Sequence, residues 1–196
     1  VGITRPASGT PPGLSSVTGC GLTWTVINAG TNHDAGVTAL KLAMAVGVGT
    51  ASNGTIGITL ASANSTGVVW QVLQISGCDL TLPVHTPGVD LNAIQSSSDV
   101  GATSFSLTLP TTVQATSAVL GGVVHVAAQE DITAGTNFTR GTNQTMSGPN
   151  GAMNYEYKTA SLNQTFDASW ATSGGYNAYG IEVFAPGGDS VGAIPI

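Results

Sequence analysis

The stretch VTALKLAMAV, residues 37–46, decides the fold class. Ala, Leu, Lys and Met are good helix formers, so a helix competes for this segment. Yet the large apolar residues fall at every second position: Leu40, Leu42, Met44, Val46 and then Val48, alternating with Lys41, Ala43, Ala45 and Gly47. Period two is the spacing of one face of a strand, and the run ends in glycines, which weaken helices. The segment reads as strand, and no better helix competes elsewhere.

The same alternation recurs on both sides. Leu22, Trp24 and Val26 alternate with Thr23 and Thr25, and Asn28-Ala-Gly30 begins a turn. Ser52-Asn53-Gly54 is a turn signal leading into Ile56, Ile58 and Leu60, so 40–48 and 56–60 read as a hairpin. Val68 to Ile75 is apolar on both faces and reads as a central strand, with Trp24 and Trp70 both in the core. An irregular span with Pro83 and Pro87 follows Cys78, before alternation resumes at Phe105, Leu107 and Leu109. Further strands are expected at 118–128, 155–158, 166–170 and 176–184, with a polar loop over 133–145. About eight or nine strands without a helix imply an all-β chain, an antiparallel two-sheet sandwich of jelly-roll type.

One domain suits 196 residues. Residues 1–18 hold several prolines and little apolar pattern, and read as an extended N-terminal arm. The sandwich is expected over 19–185. Residues 186–196 form a C-terminal tail in which Val191, Ile194 and Ile196 offer something to bury.

Charged residues make up 7% of the chain, against about 25% in ordinary soluble domains. Ser, Thr, Asn and 27 glycines carry the polarity instead. Such a surface suits a virion, an extracellular space or a lattice subunit better than a cytosolic enzyme. Lys and Arg total 4 against 10 acids, for a net charge of −6. Arg5, Lys41, Arg140 and Lys158 are scattered, so neither nucleic acid nor an anionic membrane is an expected partner. No apolar run approaches the roughly 20 residues of a spanning helix, and no signal-peptide core is expected at the start.

Candidate chemistry is sparse. Cys20 and Cys78 each sit beside a glycine at a strand end. They could pair in a disulfide, adding about 4 kcal/mol on the chain-entropy argument, or stay as two small buried hydrophobes. His33, His85 and His125 are far apart, and the acids form neither a calcium-loop pattern nor a facing pair. Adjacent Glu130 and Asp131 would point to opposite faces of a strand. No catalytic residue, metal ligand or cofactor is expected. Tyr176 and Tyr179 are the aromatics best placed for exposed contacts.

GCGLTWTVI at 19–27 and AYGIEVFA at 178–185 together carry a resemblance. With Phe166–Trp170 before the closing strand, and WQVLQISGCD at 70–79, they resemble a β-sandwich domain family of tailed-phage virion surface proteins. The cysteines at 20 and 78 and Gln74 depart from that pattern. The resemblance implies a structural or adhesive role and no catalytic residues. The expectation is therefore a non-enzymatic subunit on the virion surface, a capsid decoration (cement) or tail/fibre component. Its arms and loop rims would bind neighbouring virion proteins and further copies of itself as a homo-oligomer. Two alternatives stand beside it: a secreted carbohydrate-binding module or adhesin that takes a host-surface glycan, and a subunit of an extracellular filament.

Overall fold

The computed structural model describes residues 1–6, 10–34, 38–63, 65–79, 95–96, 101–109, 113 and 115–185. Among these residues there is no helix, and every paired ladder is antiparallel. In chain order the strands are β1 (Gly2–Pro6), β2 (Leu14–Gly19), β3 (Thr23–Asp34), β4 (Thr38–Val48), β5 (Ile56–Leu60), β6 (Gly67–Val69) and β7 (Gln95–Ser96). They continue as β8 (Ala102–Thr108), β9 (Ala118–Val126), β10 (Thr133–Ala134), β11 (Thr139–Arg140), β12 (Gln144–Ser147), β13 (Asn150–Lys158) and β14 (Thr165–Val183).

The described part of VTALKLAMAV, residues 38–46, is strand, as its period-two pattern requires. β4 lies between β3 and β1 in a four-stranded sheet of order β3-β4-β1-β6. Leu40 and Leu42 face inward and are buried. Their contacts with Val124, Met153, Tyr179 and Ile181 form the core between this sheet and a larger one built on β14, β9 and β13.

β14 runs for 19 residues and serves both sides of a second core. Its first part, Thr165 to Ser169, pairs with β8, and its last part, Gly175 to Val183, pairs with β9. A register shift between Ser169 and Gly174 lets the strand fold over itself. Phe166, Ala168 and Trp170 then pack on Val123, Ala152, Tyr176 and Ala178. A third cluster joins Leu14, Val17 and Ala43, with Trp24 and Ile58 packed beside it, where the β2-β5 pair covers the outer face of the first sheet.

Several expectations change. The N-terminal segment read as an arm supplies β1, which lies between β4 and β6, with Ile3 and Thr4 fully buried. Its prolines fall at the end of β1 and in the link to β2, where a missing N–H does not interrupt a central ladder. β5 pairs with β2, so the hairpin expected between 40–48 and 56–60 does not form. Instead the turn at Gly19, Cys20 and Gly21, all at positive φ, reverses the chain from β2 into β3. A side chain on Gly19 would come within 1.9 Å of the Thr55 carbonyl oxygen, so the close approach of β5 requires glycine there.

Asn28-Ala-Gly30 is a bulge inside β3, held by the Gly30 N–H donating to the Asn28 Oδ1 at 2.7 Å. The polar loop at 133–145 contains β10, β11 and the start of β12. Segments 166–170 and 176–184, read as two strands, are one strand, β14, which ends at Val183. The tail at 186–196 and His85 lie outside the described residues.

Candidate interaction surface

Val68–Ile75 departs furthest from its expected role. Only Gly67–Val69 is strand, and among the described residues β6 ends its sheet and pairs with β1 alone. The exposed side chains are 41% accessible at Val68, 51% at Trp70, 49% at Val72 and 39% at Ile75. Trp70 is thus at the surface and not in the core. Val69 is buried, and Gln71 and Leu73 are half-buried, so burial alternates residue by residue from 68 to 73. That is the signature of extended chain with one face inward. Among the described residues, however, no backbone hydrogen bond is made by 70–78.

Beside this edge runs β12, and the space between them is a groove of about 530 Å³. One wall is Val68, Trp70 and Val72, and the other is Thr142, Gln144, Thr145 and Tyr155. The Gln71 Nε2 donates to the Thr142 carbonyl oxygen and ties the two walls together. The 141–145 segment is itself anchored, because the Gly141 N–H donates to the Tyr155 carbonyl at 2.8 Å. Among the described residues, no charged side chain lines the groove. An apolar strip with amide and hydroxyl neighbours can take an uncharged partner that brings its own apolar surface.

The ionisable groups of the interior are bound up in structure. His125 is fully buried on β9 and lies parallel to the Trp170 indole, with ring centroids 5.1 Å apart. Burial lowers its pKa to about 4, and Glu130, 3.9 Å away, opposes that shift only partly. Glu130 accepts hydrogen bonds from the Thr172 N–H at 2.8 Å and the Thr172 hydroxyl at 3.1 Å. Both His125 nitrogens lack a hydrogen-bond partner among the described residues.

On the neighbouring strand, Glu156 is 2% exposed and accepts from the Gly135 N–H at 2.9 Å. Burial raises its pKa to about 8; the Gly135 bond and Lys158 pull the other way, and Asp167 adds to the rise. Lys158 donates to the Asn163 Oδ1 at 2.6 Å and the Thr165 carbonyl at 2.9 Å, and its ammonium lies 4.3 Å from the Phe138 ring centre. Burial lowers its pKa, against the pull of Asp167 and Glu156. These contacts close the β13–β14 turn.

The residues singled out from sequence do not converge. Tyr176 and Tyr179, expected at the surface, are 6% and 1% exposed. Tyr176 packs against Phe105 and Trp170, and Tyr179 fills the core between the two sheets, because β14 is interior where it pairs with β9. Cys20 and Cys78 are both free thiols. The Cys20 thiol donates to the Gly54 carbonyl at 3.3 Å, whereas Cys78 packs against the Leu40 core. The exposed strip was missed because its unbroken apolar character is also that of an interior strand. Gln71 and Gln74, set among the aliphatics, are the one sign of an open face.

Comparison with protein-family models, curated proteins and solved structures gives no match to this chain.

Proposed function

We propose that this stacked antiparallel chain, of the jelly-roll type expected from its strand spacing, is a non-enzymatic structural subunit of a virion surface. The reading is that of a capsid decoration or tail/fibre component of a tailed phage. The observation that carries it is the apolar strip Val68, Trp70, Val72 and Ile75, exposed together on an edge of a sheet whose surroundings are amide- and hydroxyl-rich. A patch of this kind marks a surface that another molecule covers. The scarcity of charge and the resemblance in GCGLTWTVI and AYGIEVFA support the same reading. Quantitative mass spectrometry of purified particles tests it. The chain is expected at a fixed copy number matching a symmetry of the head or tail, and its absence from particles would overturn the proposal.

Trp70 opposite Gln144, Thr145 and Tyr155 favours a second reading, a glycan-binding module, since an exposed indole flanked by amides and hydroxyls suits a sugar ring. A glycan array with the wild type and Trp70→Ala separates the two. Saturable binding lost in the variant supports the second reading.

A further inference from the structure

We propose that His125, Glu130 and Thr172 form a proton-operated latch on the crossover of β14, in which protonation of the imidazole draws the Glu130 carboxylate off Thr172 and frees residues 171–173. The latch is independent of the assembly reading and stands on the geometry of three side chains. β14 passes from its ladder with β8 to its inner ladder with β9 through the register shift between Ser169 and Gly174. Ala171, Thr172 and Ser173 are exposed there, and among the described residues no strand register includes Thr172. The Thr172 N–H instead donates to both oxygens of Glu130, at 2.8 and 3.1 Å, and the Thr172 hydroxyl donates to Oε2 at 3.1 Å. One carboxylate thus anchors the link that the ladders skip.

The same carboxylate faces a buried base. The His125 side chain is 0% exposed and lies flat on Trp170, and its Nε2 is 3.9 Å from the Glu130 Oε1, too far for a hydrogen bond. A neutral ring tolerates this pocket, whereas an imidazolium brings two N–H donors and a charge that must be satisfied. A movement of about 1 Å would bring Glu130 to the length of a charge-assisted hydrogen bond, which is stronger than a carboxylate's bonds to neutral N–H and O–H groups. No other charge competes for the ring. On the face of β9 that carries His125, β13 presents Glu156 and Lys158 opposite Gly121 and Val119. β14 presents Tyr176 opposite His125 itself and Glu182 opposite Val119. Asp131 is paired with Arg140 at 3.3 Å, Asp167 acts on Glu156 and Lys158, and β8, whose Phe105 meets Trp170, has no titratable residue. Of these groups Glu130 is the one whose charge bears on His125. Burial holds the latched ring neutral down to about 4, against an ordinary 6.5. Acid therefore favours the released form, in which the imidazolium has its counter-charge, by up to about tenfold per pH unit between those values.

The test is nitrogen-15 NMR of the full chain from about pH 7 to about pH 4, following the His125 ring and the shift and hydrogen exchange of the Thr172 amide, with circular dichroism as the monitor of the fold. The Thr172 amide is expected to titrate with the midpoint of the imidazole. Its protection factor is expected to fall by about tenfold per pH unit, while the amides of β9 stay protected and the circular dichroism is unchanged. Glu130→Gln keeps an acceptor for Thr172 but offers the imidazolium no charge, so Thr172 is expected to stay anchored and the imidazole to titrate at lower pH. His125→Phe keeps the stack on Trp170 and is expected to leave Thr172 indifferent to pH. An imidazole that stays neutral throughout, or one that titrates without a response at Thr172, overturns the proposal. So does a Thr172 response that persists in either variant, which assigns it to another group. Loss of the circular dichroism at or before the Thr172 change also overturns it, since the release is then global unfolding. Should His125→Phe fail to fold, Glu130→Gln decides by the same outcomes.

Discussion

The imidazole of His125 lies flat against the indole of Trp170, their planes 5° apart. The pair sits in the core between the two parts of β14, and it makes this interior sensitive to acid. His125 is held neutral there, so its folded pKa of about 4 lies below its ordinary value of 6.5. Between those values the unfolded chain binds the extra proton, and stability falls as pH drops from about 6.5 to about 4. Glu156 works in the opposite sense. Its pKa is raised from 4.5 to about 8, so its contribution is complete below 4.5 and is lost as pH rises toward 8.

The two slopes oppose each other between about 4.5 and 6.5, which predicts a broad stability maximum in that range. Urea denaturation across pH checks it. His125→Phe, which keeps the stack, should remove the acid-side loss. Glu156→Gln, which keeps the acceptor for Gly135, should remove the alkaline-side loss. Each effect is on the order of a few kcal/mol at most.

The tryptophans divide sharply. Trp170 is 5% exposed and its Nε1 donates to the Ala102 carbonyl at 2.9 Å. Trp170→Ala should cost about 3–5 kcal/mol in chemical denaturation. Trp70→Ala, half-exposed, should stay within about 0.5 kcal/mol of wild type. Equal losses at both positions would mean that the strip is buried in the folded monomer.

Gly121 lies under Phe166, where a Cβ would come within 2.3 Å of the ring. Gly121→Ala should destabilise by about 1–3 kcal/mol through overpacking of a dense core. Phe166→Leu should relieve part of that cost, so the double variant should be more stable than the sum of the single losses predicts. Thermal melts of the four proteins make the cycle.

Ile3 is fully buried in β1. Ile3→Ala should cost about 2–5 kcal/mol in denaturant titration. An independent arm would tolerate the change without loss of stability. The structure therefore replaces an extended arm, which could be deleted without unfolding the domain, with a strand whose loss opens the first sheet.

Much of this architecture was legible in the residues. The alternation in Leu40, Leu42, Met44, Val46 and Val48 outweighed helix propensity, because burying one face of a strand stabilises more than the small intrinsic differences between residues. The strands around Phe105 and Val123 were legible for the same reason. The site was not. Tyr176 and Tyr179 carry polar hydroxyls near glycines and read as surface, yet they lie in the half of β14 that neighbours β9. Trp70 reads as core and stands in solvent. Pattern reports which residues share a face, but not whether another layer covers that face.

The amino-acid order by itself determined that this chain is all-β and poor in charged residues, since both follow from local periodicity and composition. Only the tertiary structure decided which strands are neighbours. β1 rather than β5 took the place beside β4, because ladder partners are chosen among segments distant in sequence by packing and not by local signal. The same choice left Val68–Ile75 at an edge with its outer face open. A segment with the composition of an interior strand therefore presents exposed apolar side chains in the single chain.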